Sequence, residues 1–415
     1  MSRSGTKHHA ESQLLLLITL GLVAFGLVMV YSATSASATL GHGNSTAYLE
    51  RQGLYAAIGL ALLAAAVRTD YRRWLDWAPP LVVTSLVLCL AVLALGTRVN
   101  GARRWISFGP AAFQPSELAK LALAIWTAAY LARRPAPRTL AELGRPLGVL
   151  VGVFCVLVIA EPDLGTTIAI VAMVAAMLLV AGTPVPTLLS GGAVVAALGL
   201  VAIWLEPYRR ARFFAFLHPW HDAQGAGYQI VQALIGLGSG GFFGRGLGEG
   251  IVKIGSLPEA HTDMIAAVIG EELGLVGLAA LVAAYCAFAY AGVRLALATK
   301  DPFGKRLAAG LTALVSCQAI INLAAVLGVA PLTGIPLPFV SYGGSSLIVD
   351  LLAVGILLNI ARGHGGIARA QVPDRSRGDG RPRAAGARGG GRAAAARGGG
   401  DLRRVAGSRR SAARP

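Results

Sequence analysis

The densest run of reactive side chains is Pro258-Glu259-Ala260-His261-Thr262-Asp263, followed by Gly270-Glu271-Glu272. Asp263 stands where this polar run enters a long apolar stretch. A carboxylate at such a boundary is partly desolvated, which raises its pKa toward the range useful to a general base. On a helix Asp263 and Gly270 share a face, with Glu271 beside that face and roughly 12 Å along the axis. His261 can shuttle a proton or simply hydrogen-bond, and the same run also reads as a helix entry capped by Thr262 or Asp263. A second pair, Glu117 and Lys120, lies in Phe113-Gln114-Pro115-Ser116-Glu117-Leu118-Ala119-Lys120. Its i, i+3 spacing puts both charges on one helix face, as a structural ion pair or as the lining of a polar cavity. A third run, Pro336-Leu337-Pro338-Phe339-Val340-Ser341-Tyr342-Gly343-Gly344-Ser345-Ser346, has the prolines and glycines of irregular backbone and hydroxyls suited to a cavity wall. No Ser-His-Asp, Walker or CxxC pattern is present.

The elements that must position these groups follow from composition. Apolar residues make up 55% of the 415 and charged residues 14%, against roughly 25% charged in a soluble domain. Mean hydropathy is +0.63. These values exclude a soluble nucleic-acid-binding globule despite the net charge of +17, and they exclude a secreted disulfide scaffold. Cys89, Cys155, Cys286 and Cys317 all sit in apolar runs, where thiols act as small hydrophobes; neither a disulfide nor a metal site is expected. A helix needs ~20 apolar residues to cross a bilayer. Ten segments are candidates, at 12–31, 53–67, 79–96, 116–132, 146–160, 165–182, 187–205, 264–294, 307–331 and 343–361, the shorter of which extend into their flanks. The segment 264–294 is long enough that it must tilt or protrude. The first run exceeds the length of a signal peptide's apolar core and reads as a retained helix. The expected fold is therefore an all-α integral membrane protein of about ten transmembrane helices, with residues 1–11 as a short N-terminus and 12–361 as the membrane domain.

Ten spans place both termini on one side. With the termini inside, the inner segments hold 27 Lys and Arg and the outer loops nine, as the positive-inside rule requires. Residues 362–415 carry 14 Arg and 3 Asp. This Arg/Gly/Ala-rich tail lacks apolar periodicity and is expected to be disordered and cytoplasmic. One outer loop, about 206–262, is long and rich in aromatics. The outer basic residues include Arg103 and Arg104, just before Trp105, and Arg209, Arg210 and Arg212, just before Phe213, Phe214 and Phe216. Guanidinium groups match phosphate oxygens bidentately, so these arginines suit a lipid-borne pyrophosphate; snorkelling to ordinary headgroups is the alternative.

In order and spacing, Asn100 to Trp105, Phe113 to Lys120, Glu161-Pro162-Asp163-Leu164-Gly165, Pro258 to Asp263 with Gly270 to Gly274, and Pro336 to Ser346 resemble the SEDS family. This is the FtsW/RodA/SpoVE group of cell-wall polymerases, and the resemblance covers about residues 12–361. The Pro-Glu-Ala-His-Thr-Asp form and the basic tail are more similar to the division branch than to the elongation branch.

The resemblance implies a peptidoglycan glycosyltransferase that polymerises lipid II at the outer face of the cytoplasmic membrane during septal wall synthesis. It carries the essential aspartate onto Asp263 and the cavity residues onto Glu117, Lys120, Ser341, Ser345 and Ser346. Arg103, Arg104, Arg209 and His261 complete the expected substrate contacts. The implied partners are a class B penicillin-binding protein and other division-complex proteins, with no nucleic acid. An α-linked donor and a β-1,4 product mean inversion, which one base can serve. The leaving pyrophosphate needs cationic stabilisation from Arg and Lys or from a divalent cation, and the residues specify no cofactor and no metal site. A flippase for lipid-linked precursors is the competing reading, but a transporter of that kind is expected to show interrupted helices in two repeated halves. The topology predicts that a single cysteine at Ser239 is labelled by an impermeant maleimide from outside while one at Ala385 is protected; labelling of both from one face would overturn it.

Overall fold

Surrounded by hydrocarbon, a chain must satisfy its backbone hydrogen bonds internally, and long apolar runs do so as helices. The computed structural model describes residues 3–39, 45–99, 102–108, 111–254 and 257–363. The helices are α1 (Arg3–Thr39), α2 (Ser45–Arg68), α3 (Trp74–Leu95), α4 (Pro115–Arg133), α5 (Leu140–Leu143), α6 (Val149–Ala160) and α7 (Leu164–Ala181). They continue with α8 (Val185–Leu205), α9 (Pro207–Leu217), α10 (Tyr228–Gly240), α11 (Ile265–Ala298), α12 (Pro302–Val326) and α13 (Gly344–Gly363). Among the described residues eight helical segments are long and apolar enough to cross a membrane. The expected spans at 53–67 and 116–132 fall on α2 and α4, which lie outside those eight. α4 is buried along most of its length, Ser116, Glu117 and Lys120 included; a helix that faces protein rather than lipid does not need a uniformly apolar surface. The tail expected from 362 onward lies, from residue 364, outside the described residues.

Three features refine the expected all-α architecture. Between α3 and α4 the chain forms a three-stranded antiparallel sheet, β1 (Thr97–Val99), β2 (Ala102–Phe108) and β3 (Ala111–Phe113), in the order β1-β2-β3. The Asn100-Gly101 dipeptide is the sequence signal for a hairpin there. The expected long loop at 206–262 contains two helices, α9 and α10. The overlong segment is also broken rather than simply tilted: Gly274 in α11 has φ +67°, and a Cβ there would meet the 242–244 backbone.

The break is repaired by the chain that follows α10. Leu275 and Val276 donate their N–H groups to the Gly241 and Phe242 carbonyls at 2.9 and 3.1 Å. Arg245 and Gly246 donate to the Glu271 and Glu272 carbonyls, both at 3.0 Å. The two carboxylates act as further acceptors for the same loop. Glu271 takes the Ile251 N–H at 2.9 Å and the Val252 N–H at 3.1 Å. Glu272 takes the Gly248 N–H at 3.1 Å, the Ser32 hydroxyl at 2.7 Å and the Lys253 ammonium at 2.6 Å. Glu271, read from the sequence as lying beside the reactive face, and Glu272 thus hold a loop in place.

Close helix contacts rest on small residues, as they must where lipid is as apolar as the side chains. α2 packs on α13 at Gly59 and Gly355; a Cβ at Gly355 would lie 2.7 Å from the Leu63 carbonyl oxygen and 2.9 Å from the Ala66 Cβ. Gly26 of α1 packs in the same way on the Phe339-Val340 backbone. Gly355→Leu should therefore overpack the α2/α13 seam, at a cost of about 1–3 kcal/mol, and lower the melting temperature of the purified protein. Gly152→Leu, where nothing lies within 4 Å of the added carbon, should not. Equal melting temperatures for the two variants would remove the seam from the packing account.

Candidate active site

Several chain segments converge at the end of the bundle that carries the sheet. Asp263 lies half-buried just before α11. The turn below it is tight: Thr262 and Met264 donate to the Glu259 carbonyl at 3.0 and 3.3 Å, with Glu259 at φ +56°. Burial raises the Asp263 carboxyl to about 6, helped by the nearby Glu259 charge and opposed by Arg212. A carboxyl poised there is largely ionised at neutral pH and still basic enough to accept a proton.

Across from it stand the arginines. A Cβ at Gly334 (φ +74°) would be 3.7 Å from Arg104 Nη1 and 3.9 Å from Asp263 Oδ2, so both groups flank one point above that glycine. Arg104, Arg209 and Arg212 line a cavity of about 50 Å³ together with Phe213, Leu332 and Thr333. Backbone carbonyls hold two of them. Arg104 donates from Nε to the Glu161 carbonyl at 2.9 Å and from Nη2 to the Pro162 carbonyl. Arg209 donates to the carbonyls of Ala202 and Ile159. Carbonyl oxygens orient a guanidinium without cancelling its charge, which leaves it available to an anion.

Glu161 sits behind Arg104, fully buried, and among the described residues its oxygens accept no hydrogen bond from a nitrogen or hydroxyl donor. Burial and the neighbouring Asp163 push its carboxyl up to about 8, against the Cys89 thiol and the Arg104 charge. At neutral pH it is therefore mostly protonated and does not neutralise Arg104.

The remaining expected residues have other occupations. His261 packs its ring 5.1 Å from that of Tyr48 and 5.5 Å from that of Tyr342, and its carbonyl accepts the Tyr342 N–H at 2.9 Å. Burial lowers the His261 pKa, so the neutral imidazole dominates. Ser341 Oγ accepts the Leu337 N–H at 2.8 Å, Ser345 Oγ accepts the Gln114 N–H at 3.0 Å, and Ser346 Oγ donates to the Gly343 carbonyl at 3.2 Å. These hydroxyls shape the loop that enters α13. Arg103 donates to the Leu93 carbonyl at 3.1 Å and caps α3, apart from the arginine cavity. Glu117 and Lys120 pair at 2.8 Å with almost no exposure. They lie within electrostatic reach of buried Asp350 on α13.

Asp350, Glu161 and Asn322 are not among the expected site residues, and Arg212 is read from the sequence only as one of the outer arginines that suit a lipid-borne pyrophosphate. Asp350 was legible as a charge inside an apolar span, and Arg212 as the i+3 partner of Arg209 on one helix face. Nothing in the spacing marked Glu161 as buried or Asn322 as adjacent to Asp263.

A family model described as "Cell cycle protein", which unites FtsW, RodA and SpoVE, matches residues 12–365. The chain belongs to this family. Among its SEDS relatives, the probable peptidoglycan glycosyltransferase FtsW of Geobacter metallireducens is 42% identical over 350 residues, covering 84% of this chain and 93% of the relative. Stage V sporulation protein E of Bacillus subtilis is 38% identical over 361 residues, covering 86% and 98%. A chain of a solved peptidoglycan synthase complex, studied for its coordination of polymerization and crosslinking, superposes with a TM-score of 0.71 at 32% identity, covering 84% of this chain and 96% of that one. The rod shape determining protein RodA of Thermus thermophilus gives 0.62 at 30% identity, with 84% and 95% covered. Like them, this SEDS chain is a multi-pass helical membrane protein.

The buried Glu161 carboxyl has a measurable signature. Its pKa is higher folded than unfolded, so the folded state binds more protons between about pH 4.5 and 8 and loses stability as pH rises through that window. Glu161→Gln mimics the protonated form. Its melting temperature should gain on that of wild type between pH 5 and pH 8; a constant gap would mean that the carboxyl is not buried in its neutral form.

Proposed function

We propose that this SEDS protein is a peptidoglycan glycosyltransferase that polymerises lipid II into β-1,4 glycan strands, with Asp263 as general base. The observation that carries the reading is that Asp263 and Arg104 flank one point above Gly334 and that Asp263 feels the Arg212 charge, while Arg104 and Arg212 line a cavity together with Arg209. Inverting transfer needs a proton acceptor on one side of the anomeric carbon and stabilisation of a departing anion on the other. The acceptor hydroxyl oxygen forms its bond to C1 of the donor sugar while its proton passes to the Asp263 carboxylate. The bond from C1 to the pyrophosphate oxygen breaks, and the lipid pyrophosphate leaves with the electron pair toward the arginines. A divalent cation on the pyrophosphate is the alternative source of that positive charge.

The relatives' names support peptidoglycan synthesis. The FtsW relatives favour a division role, at the septum and at the outer face of the cytoplasmic membrane, with both termini inside. The solved synthase complex supports a class B penicillin-binding protein as the partner that crosslinks the strands.

Asp263→Asn keeps shape but removes the base. Since general-base catalysis contributes typically ~10²–10⁴-fold, the variant should make almost no polymer from fluorescent lipid II on a gel while remaining folded. In wild type the rate should rise with pH through about 6, because only the ionised carboxyl accepts the proton. Full polymerisation by Asp263→Asn, or an acid limb unchanged by it, would remove Asp263 from the base role.

A further inference from the structure

Asp263 lies outside any helix, and so does the 331–343 segment that faces it. A base must be held to a fraction of an ångström, and a misplacement of about 1 Å can cost on the order of 10²-fold in rate. Neither segment has a regular hydrogen-bond ladder to supply that rigidity. One side chain ties them together. Asn322, four residues from the end of α12 and 2% exposed, donates from Nδ2 to the Asp263 carbonyl at 2.7 Å and to the Ile335 carbonyl at 2.8 Å. Ile335 follows Gly334, where an added Cβ would lie within 4 Å of both Arg104 and Asp263.

The orientation of the amide is forced by its neighbours. Both are carbonyl oxygens, so only the NH₂ group can satisfy them. The amide oxygen is buried and has no hydrogen-bond partner among the described residues. Its two donated bonds are therefore what orient it. A polar amide on the buried face of an apolar helix costs free energy unless its hydrogen bonds are made, and here they are made to the two irregular segments that form the site.

We infer that Asn322 is a positioning residue, which sets the Asp263 carboxylate against the Gly334-Ile335 segment and thereby at its working distance from Arg104. The inference rests on the base reading of Asp263. Asn322 itself stays beneath the backbone and takes no part in bond making.

The test uses three substitutions in the full-length protein, measured as kcat and KM for lipid II polymerisation alongside thermal stability. Asn322→Asp is isosteric but, when ionised, turns two donated bonds into contacts between acceptors. Asn322→Ala removes both bonds without repulsion. Asn322→Gln keeps the NH₂ group on a longer arm. A positioning role predicts a tenfold or larger fall in kcat with KM within about twofold for Asp and Ala, and partial recovery for Gln relative to Ala. Because Asp can fail to fold at a buried site, Ala against Gln decides the matter in that case. Wild-type kcat in folded Asn322→Ala, a loss confined to KM, or no recovery in Gln would overturn the inference. Asp263→Asn is run beside them. If it polymerises normally, the base reading itself fails; if it is inactive while Asn322→Ala keeps wild-type kcat, only the positioning role falls.

Discussion

Irregular backbone beside hydrocarbon survives only where its N–H and C=O groups find partners inside the protein. This chain breaks helical regularity where it carries its chemistry, and each break is met by a buried polar side chain. The fracture of α11 at Gly274 exposes backbone that the 241–246 loop pairs with, and Glu271 and Glu272 accept the N–H groups further along. Lys253 and Ser32 then satisfy Glu272. The turn that ends in Asp263 and the segment through Ile335 meet on the Asn322 amide. The segment through Ser341 is held by its own hydroxyl on Leu337 and by the Gln52 amide on the Ser341 carbonyl at 3.1 Å. Without these anchors the same loops would have to become helical or retreat to water, and no fixed site would form.

The carboxylates show how environment separates chemical roles. Glu117 is nearly inaccessible and pairs with Lys120, so it is held as half of an ion pair. Breaking such a pair in a buried setting strands a charge, whereas the intact pair contributes little net stability. Glu271 and Glu272 accept several hydrogen bonds each and serve as backbone surrogates. Glu161 is buried and raised to about 8, so it stands behind Arg104 largely as a neutral acid. Asp263 is half-buried, raised to about 6 and within reach of the Arg212 charge. Among these five, Asp263 combines partial exposure with a pKa suited to taking a proton at neutral pH.

The arginines follow a related logic. A guanidinium held by a carboxylate is largely neutralised, whereas one held by carbonyl oxygens is oriented and keeps its charge. Arg104 and Arg209 are of the second kind. Arg103, one residue from Arg104 and on the opposite side of the strand, is turned onto the end of α3. Alternation along β2 thus divides two adjacent arginines between a structural cap and the cavity.

Much was legible in the chain itself. Apolar runs of spanning length, the bias of Lys and Arg between loops and the sparse charge make a multi-pass helical membrane protein the only economical reading, because these are properties of single segments in hydrocarbon and need no knowledge of neighbours. The motif order from Asn100 to Ser346 was equally local, and it sufficed to place Asp263 at a loop-to-helix boundary. What each polar residue touches was not local. Asn322 reaches Asp263 across 59 positions and Gln114 reaches Ser345 across 231. The break at Gly274 likewise depends on the 241–246 segment, whereas the small sheet pairs neighbouring strands, Val99 with Ala102 and Phe108 with Ala111. Spacing along one helix or strand determines which residues share a face; only the tertiary structure decides what that face meets, and therefore which arginine holds a carbonyl end and which carboxyl keeps its proton.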